Sequence, residues 1–150
     1  MSDQPSEHES EASRSRLEQM QDARAARREQ LEKDTDAQFL EDLEFIDALE
    51  IEHGTSNVSV IRVPFDAHGV PVSVVVRTPK PAEVSRYRDR LKAEKADTAK
   101  AAEEIGAVCR VYPDRDVFDK IADKRPGVKA QCGVAALALA VGTAESEGKG

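Results

Sequence analysis

The alternation of apolar and polar positions divides the chain into stretches of distinct character. From Phe39, apolar residues return at three- and four-residue steps, as Phe39, Leu40, Leu43, Ile46 and Leu49, which is the spacing of one helical face. The other face is acidic, with Glu41, Asp42, Glu44, Asp47 and Glu50. Thr35 and Gln38 have capping-box spacing, so the pattern predicts a helix that opens at Thr35 and closes at His53-Gly54. Two alternating runs follow. Val58, Val60 and Arg62 interleave with Ser59, Ile61 and Val63, and Val70, Val72, Val74 and Val76 mark one face of a second strand. Together they predict a β-hairpin. Asp66-Ala67-His68-Gly69 suits the connection, with Asp66 starting a type I turn and Gly69 taking the left-handed position. Pro71 cannot donate to a ladder and is expected at a strand start or an unpaired edge.

Thr78-Pro79-Lys80-Pro81 ends the second strand, and Pro81 fits the first turn of a new helix. That helix should reach Ala107, with apolar positions at Val84, Tyr87, Leu91, Ala102, Ile105 and Val108. Apart from Thr98, only alanine and charge lie between Lys92 and Lys100, which leaves room for a break. Val111-Tyr112-Pro113-Asp114 interrupts the pattern, and a short helix carrying Val117, Phe118 and Ile121 follows, ended by Arg125-Pro126-Gly127. Val128–Val141 is apolar on nearly every side and is expected to form the buried centre of the C-terminal part.

The ends differ from this. Residues 1–13 are rich in Ser, Glu and Asp and are expected to be disordered. Residues 14–33 are good helix formers, but Leu17, Met20 and Leu31 are their only sizeable apolar residues. A helix there should be frayed, solvent-exposed or ordered only on a partner. The resulting organisation is an acidic arm over 1–34, disordered or partly helical; an amphipathic acidic helix and linker over 35–57; a hairpin-plus-helices domain over 58–141; and a disordered tail over 142–150. The fold class is α+β: a β-hairpin packed with about four α-helices, between disordered termini.

Composition sharpens this picture. The chain has 150 residues, of which 34% are charged and only 4% aromatic, with no Trp. Its core must therefore rest on Val, Leu, Ile and Ala, and is small. The net charge of -7 is uneven: residues 1–50 hold fifteen acids and six bases, whereas residues 51–110 hold eight acids and ten bases. An acidic balance argues against general nucleic-acid binding. Cys109 and Cys132 form no CxxC pair and have no nearby His, so they read as small core residues. Met1–Ser15 lacks the apolar core of a secretory signal, and the longest apolar run, Val134–Val141, is far short of the roughly 20 residues of a membrane-spanning helix. A soluble, intracellular protein without membrane attachment is expected.

Catalytic chemistry finds no foothold. The carboxylates of 41–50 read as a solvated helix face, and nothing marks a pocket that would shift them. His8, His53 and His68 lack metal-ligand spacing, and no nucleophile elbow or phosphate loop occurs. No catalytic residue, metal site or cofactor is assigned, and the chain is not expected to be an enzyme. Arg77–Lys100 carries eight bases and four acids, with Arg86, Arg88 and Arg90 gathered around Tyr87. Those three arginines are the candidates for phosphate binding, which makes a small nucleic-acid-associated or regulatory protein the alternative reading. Interleaved Glu83, Asp89, Glu94 and Asp97 weaken it, and the basic face suits an acidic protein partner as well, including this chain's own N-terminal segment.

Over residues 58–141 a larger order emerges. A Val-rich hairpin leads into Val75-Val76-Arg77-Thr78-Pro79, then a helix with Glu83, Arg86 and Tyr87, then a long charged helix. Cys109-Arg110-Val111-Tyr112-Pro113, a short helix with Phe118, Pro126-Gly127 and a final Ala-rich helix complete it. This resembles the tail assembly chaperones of long-tailed bacteriophages. The resemblance implies a protein that binds the tape measure protein, or another phage tail protein, and keeps its hydrophobic helices soluble while the tail tube polymerises. It also implies a location in the host cytoplasm, absence from the finished virion, and no catalytic residues. The first 50 residues lie outside the pattern. Phe39, Leu40, Leu43 and Ile46, with Val84, Tyr87 and Leu91, are the candidate partner contacts. Self-association is the other protein contact expected, and the competing reading of the two stripes is that both pack on the hairpin.

Overall fold

A computed structural model describes the backbone of residues 7–142 and the side chains of residues 11–142. The α+β class holds. The chain runs α1 (Glu7–His53), a 3₁₀ turn (Thr55–Asn57), β1 (Val58–Pro64), β2 (Pro71–Arg77), α2 (Pro81–Lys92), α3 (Thr98–Cys109), β3 (Arg110–Tyr112), α4 (Arg115–Lys124) and α5 (Val128–Val141). The disorder expected of 1–6 and of 143–150 lies outside the described residues.

The hairpin forms as its pattern predicts. β1 and β2 pair antiparallel from Val58 with Arg77 to Pro64 with Pro71, so Pro71 stands at the strand start. Asp66 organises the turn: its Oδ1 accepts from the backbone N–H of His68 and of Val70, each at 2.9 Å. Those N–H groups, Val70's foremost, hold the exposed Asp66 carboxyl below its ordinary range. Gly69 takes a φ of 84°, the left-handed conformation that a side chain disfavours.

A third strand was not legible. β3 has only three residues and pairs with β2 through an irregular register at Val75 and Val76. It makes β2 the central strand of three. Sequence reading treats 111–114 as a simple break, because three residues beside a proline carry no periodic signal. The Tyr112–Pro113 peptide bond is cis.

The period of two in the strands sorts residues onto two sides. Ile61, Val63, Val74 and Val76 face α3, α4 and α5, and join Ile105, Cys109, Phe118, Ile121, Val128, Cys132 and Ala136 in the main core. Val58 and Val75 face α1, where they meet Ile46, with Leu49, Val111 and Tyr112 packed around them. α1 and α5 thus cover opposite faces of the sheet. Cys109 and Cys132 are free and fully buried, which raises both thiols to about 11.

α3 and α5 approach closely because two glycines allow it. A Cβ on Gly106 would collide with the Lys129 carbonyl oxygen, and one on Gly133 with the Ala102 carbonyl oxygen. The break expected between Lys92 and Lys100 is real: α3 restarts at Asp97, whose Oδ1 caps the backbone N–H of Lys100 at 3.1 Å.

Three expectations are corrected. Thr35 does not open a helix, since α1 is continuous from Glu7. The run of Arg, Glu, Gln, Ala and Leu before Thr35 sustains the helix through it, and Gln38 donates to Asp42 at 3.1 Å instead of reaching back to a cap. Helix therefore also covers residues 7–13, which composition alone reads as disordered. α5 is not buried all round: Val134 is 65% and Val141 75% exposed, because only one of its faces packs on α3 and the sheet.

Candidate functional site

α1 is about 70 Å long at 1.5 Å per residue. Only its C-terminal part lies on the sheet. Every side chain from residue 11 to residue 30 is exposed, including Leu17 and Met20 at 57% and 62%. The helix thus leaves the body as an arm with two bare apolar side chains, supported locally by the contact of Gln30 with Asp34 and the ion pair of Lys33 with Glu29.

Where α1 meets the sheet, the expected partner contacts separate. Ile46 is buried against Val58 and Val75 and offers no surface. Leu43 is half-buried. Phe39 lies beneath the Arg62 guanidinium, 4.5 Å from its ring centre, a cation–π contact at the sheet's edge. Leu40 points outward at 65% exposure, and so do Phe45 and Ile51. Phe45 stacks on Tyr112 with ring centres 5.0 Å apart.

Asp42 is the residue that sequence reading misplaced. It belongs to the run of acids taken as the solvated face, yet it is 1% exposed. Its Oδ2 accepts from the Ser73 backbone N–H at 2.9 Å, and its Oδ1 from the Tyr112 hydroxyl at 2.7 Å. Its position four residues before Ile46 is the signal that puts both on one side of the helix. Burial, and then the Asp42 carboxylate, push the Tyr112 hydroxyl's pKa well above its ordinary value. The two hydrogen bonds tie α1 to β2 and to β3.

The second candidate seam, Val84, Tyr87 and Leu91, runs along α2. Tyr87 is half-buried against the main core and Leu91 is exposed. Val84 and Tyr87 form one wall of an open groove of about 570 Å³, with Leu137, Ala140 and Val141 of α5 opposite and Thr78 and Pro79 at its end. The start of α2 is anchored by Arg77, which grips Glu83 with two hydrogen bonds of 2.8 and 2.9 Å. That guanidinium holds the Glu83 carboxyl down to about 2. Glu83 also accepts from the Lys80 backbone N–H at 2.7 Å and so caps the helix.

The three arginines of the alternative reading do not form one patch. Arg86 and Arg90 line a cleft of about 330 Å³ between α2 and α3, where Arg90 pairs with Glu104 at 3.2 Å. Arg88 lines the groove on the other side of α2. Residues two apart on a helix do not share a face. Among the described residues no cluster of His, Cys, Asp or Glu suits a metal ion, and no helix is long and apolar enough to cross a membrane.

Comparison with protein-family models, with curated proteins and with solved structures finds no match to this chain.

Proposed function

We propose that the protein is a binding chaperone that holds a long helical protein partner in soluble form. One observation supports this reading above the rest: α1 projects from the body with twenty consecutive side chains in solvent, Leu17 and Met20 among them. An isolated helix with so thin an apolar stripe is marginal in water, and a partner helix laid along it supplies the missing burial. The charge of the arm keeps such a complex in solution. The resemblance of residues 58–141 to phage tail assembly chaperones names the partner: the tape measure protein, bound in the host cytoplasm during tail assembly. The split of Arg86, Arg88 and Arg90 over two sides of α2 favours a protein partner over a nucleic acid.

The test is affinity capture of the tagged chain from cells that express its genomic neighbours, after nuclease treatment. Recovery of a long, helix-rich protein is expected, and changing both Leu17→Glu and Met20→Glu should abolish it. Recovery that depends on intact nucleic acid, or that survives the double change, overturns the reading.

A further inference from the structure

The outer side of α1 is chemically distinct from the side that packs on the sheet. Leu40 and Ile51 are 65% and 86% exposed, and they stand eleven residues apart, three turns along one row. Exposed Ala37 and Ala48 lie beside them. Glu44 and Asp47 stand in the same row between them, Glu41 and Glu52 lie to one side of it, and no Lys or Arg occurs between Lys33 and Arg62.

The groove between α2 and α5 has the complementary character. Its walls are Val84, Tyr87, Leu137, Ala140 and Val141. Arg88 stands at its rim, and Lys92 follows one turn further along the same row; both are exposed, and neither forms an ion pair among the described residues. α5 carries no charged residue from Gln131 to Val141 that could repel an acidic visitor. The lengths agree as well: α2 spans twelve residues, about 18 Å, and the Leu40–Ile51 row about 17 Å.

We infer that the outer face of α1 in one copy docks into the α2–α5 groove of a second copy, with Leu40 and Ile51 against the apolar walls and Glu44 and Asp47 towards Arg88 and Lys92. α1 and α5 lie on opposite faces of the sheet, so one molecule cannot present both surfaces to the same neighbour. The contact is therefore heterologous, head to tail, and each copy is left with one free groove and one free helix face. This goes beyond the client reading and does not depend on it.

The experiment is sedimentation velocity of the purified full chain over a concentration series, with no other protein present. The weight-average mass should rise above the 16.4 kDa of one chain with concentration and fall as salt is added. A chain with Glu44→Arg and Asp47→Arg should sediment as a monomer, and so should one with Arg88→Glu and Lys92→Glu. An equimolar mixture of the two should associate again, because each reversed surface then meets its opposite. Leu40→Ser with Ile51→Ser should also give monomers without a change in charge. A wild-type chain that stays monomeric at its highest soluble concentration overturns the inference. So does an assembly that survives both reversals, or a mixture that does not reassociate.

Discussion

The Tyr112 hydroxyl donates to the Asp42 carboxylate at 2.7 Å and joins residues seventy positions apart in the chain. This bond, with the Ser73 N–H on the other carboxylate oxygen, fixes where α1 crosses the sheet. The acceptor is removed from water, so the donors that Ser73 and Tyr112 bring to it, beside Gln38 from its own helix, matter. Tyr112→Phe should lower stability by about 1.5–3 kcal/mol, the range for a hydrogen bond to a charged group. Asp42→Ala should lower it more, because the Ser73 N–H and the Tyr112 hydroxyl both lose their acceptor. Denaturant unfolding of the two single variants and the double variant gives the coupling; additive effects would show that the bond contributes nothing.

Ser73 makes the opposite prediction. Its hydroxyl oxygen is buried with no hydrogen-bond partner among the described residues, while its backbone N–H is the group that Asp42 uses. Ser73→Ala removes the unpaired group and keeps the useful one. Stability should stay level or rise by about 1 kcal/mol. A loss of stability of that size would show that the hydroxyl has a partner.

Gly133→Ala should destabilise the fold by about 1–3 kcal/mol or more, because the new Cβ meets the Ala102 carbonyl of α3, which cannot swing aside as a flexible side chain would. Gly127→Ala is the matched control, as nothing lies near the Cβ it would add. Thermal unfolding of both variants separates helix packing from a general effect of replacing glycine.

Stability should fall at both ends of the pH scale for identified reasons. Cys109 and Cys132 are raised from 9.0 to about 11 in the folded chain. Their contribution is intact below pH 9 and is lost as pH rises towards 11, on the order of 2–3 kcal/mol for each thiol. Replacing both by Ala should flatten the curve between pH 9 and 10, below the range where Tyr112 adds to the loss. Glu83 is depressed from 4.5 to about 2, so its contribution is present above pH 4.5 and disappears as pH falls towards 2. Its pair with Arg77 is less than one-fifth exposed, and about 2 kcal/mol is at stake. Glu83→Gln should remove that acid slope and leave the alkaline one.

Deleting residues 1–30 should leave the unfolding midpoint of the body nearly unchanged, since the described side chains of 11–30 are all exposed. The same deletion should abolish capture of the helical partner. A large fall in the midpoint would mean that the arm folds back on the body.

The features legible in the sequence all have local causes. Period-two alternation set the hairpin, Asp66 and Gly69 set its turn, and Pro81 set the start of α2. Each rests on interactions within a few residues, which the order of residues alone determines. The apolar stripe of 39–49 was legible as well, but its fate was not. One turn of helix separates Asp42, buried under the sheet, from Ile46 in the core, while Leu40 and Glu44 face solvent; which acid goes inside depends on the donors that Ser73 and Tyr112 bring from afar. The same holds for β3, for the glycine contact of α3 with α5, and for the bare outer face of α5. A helix apolar all round can be buried on every side or on one, and only the number of elements packed around it decides.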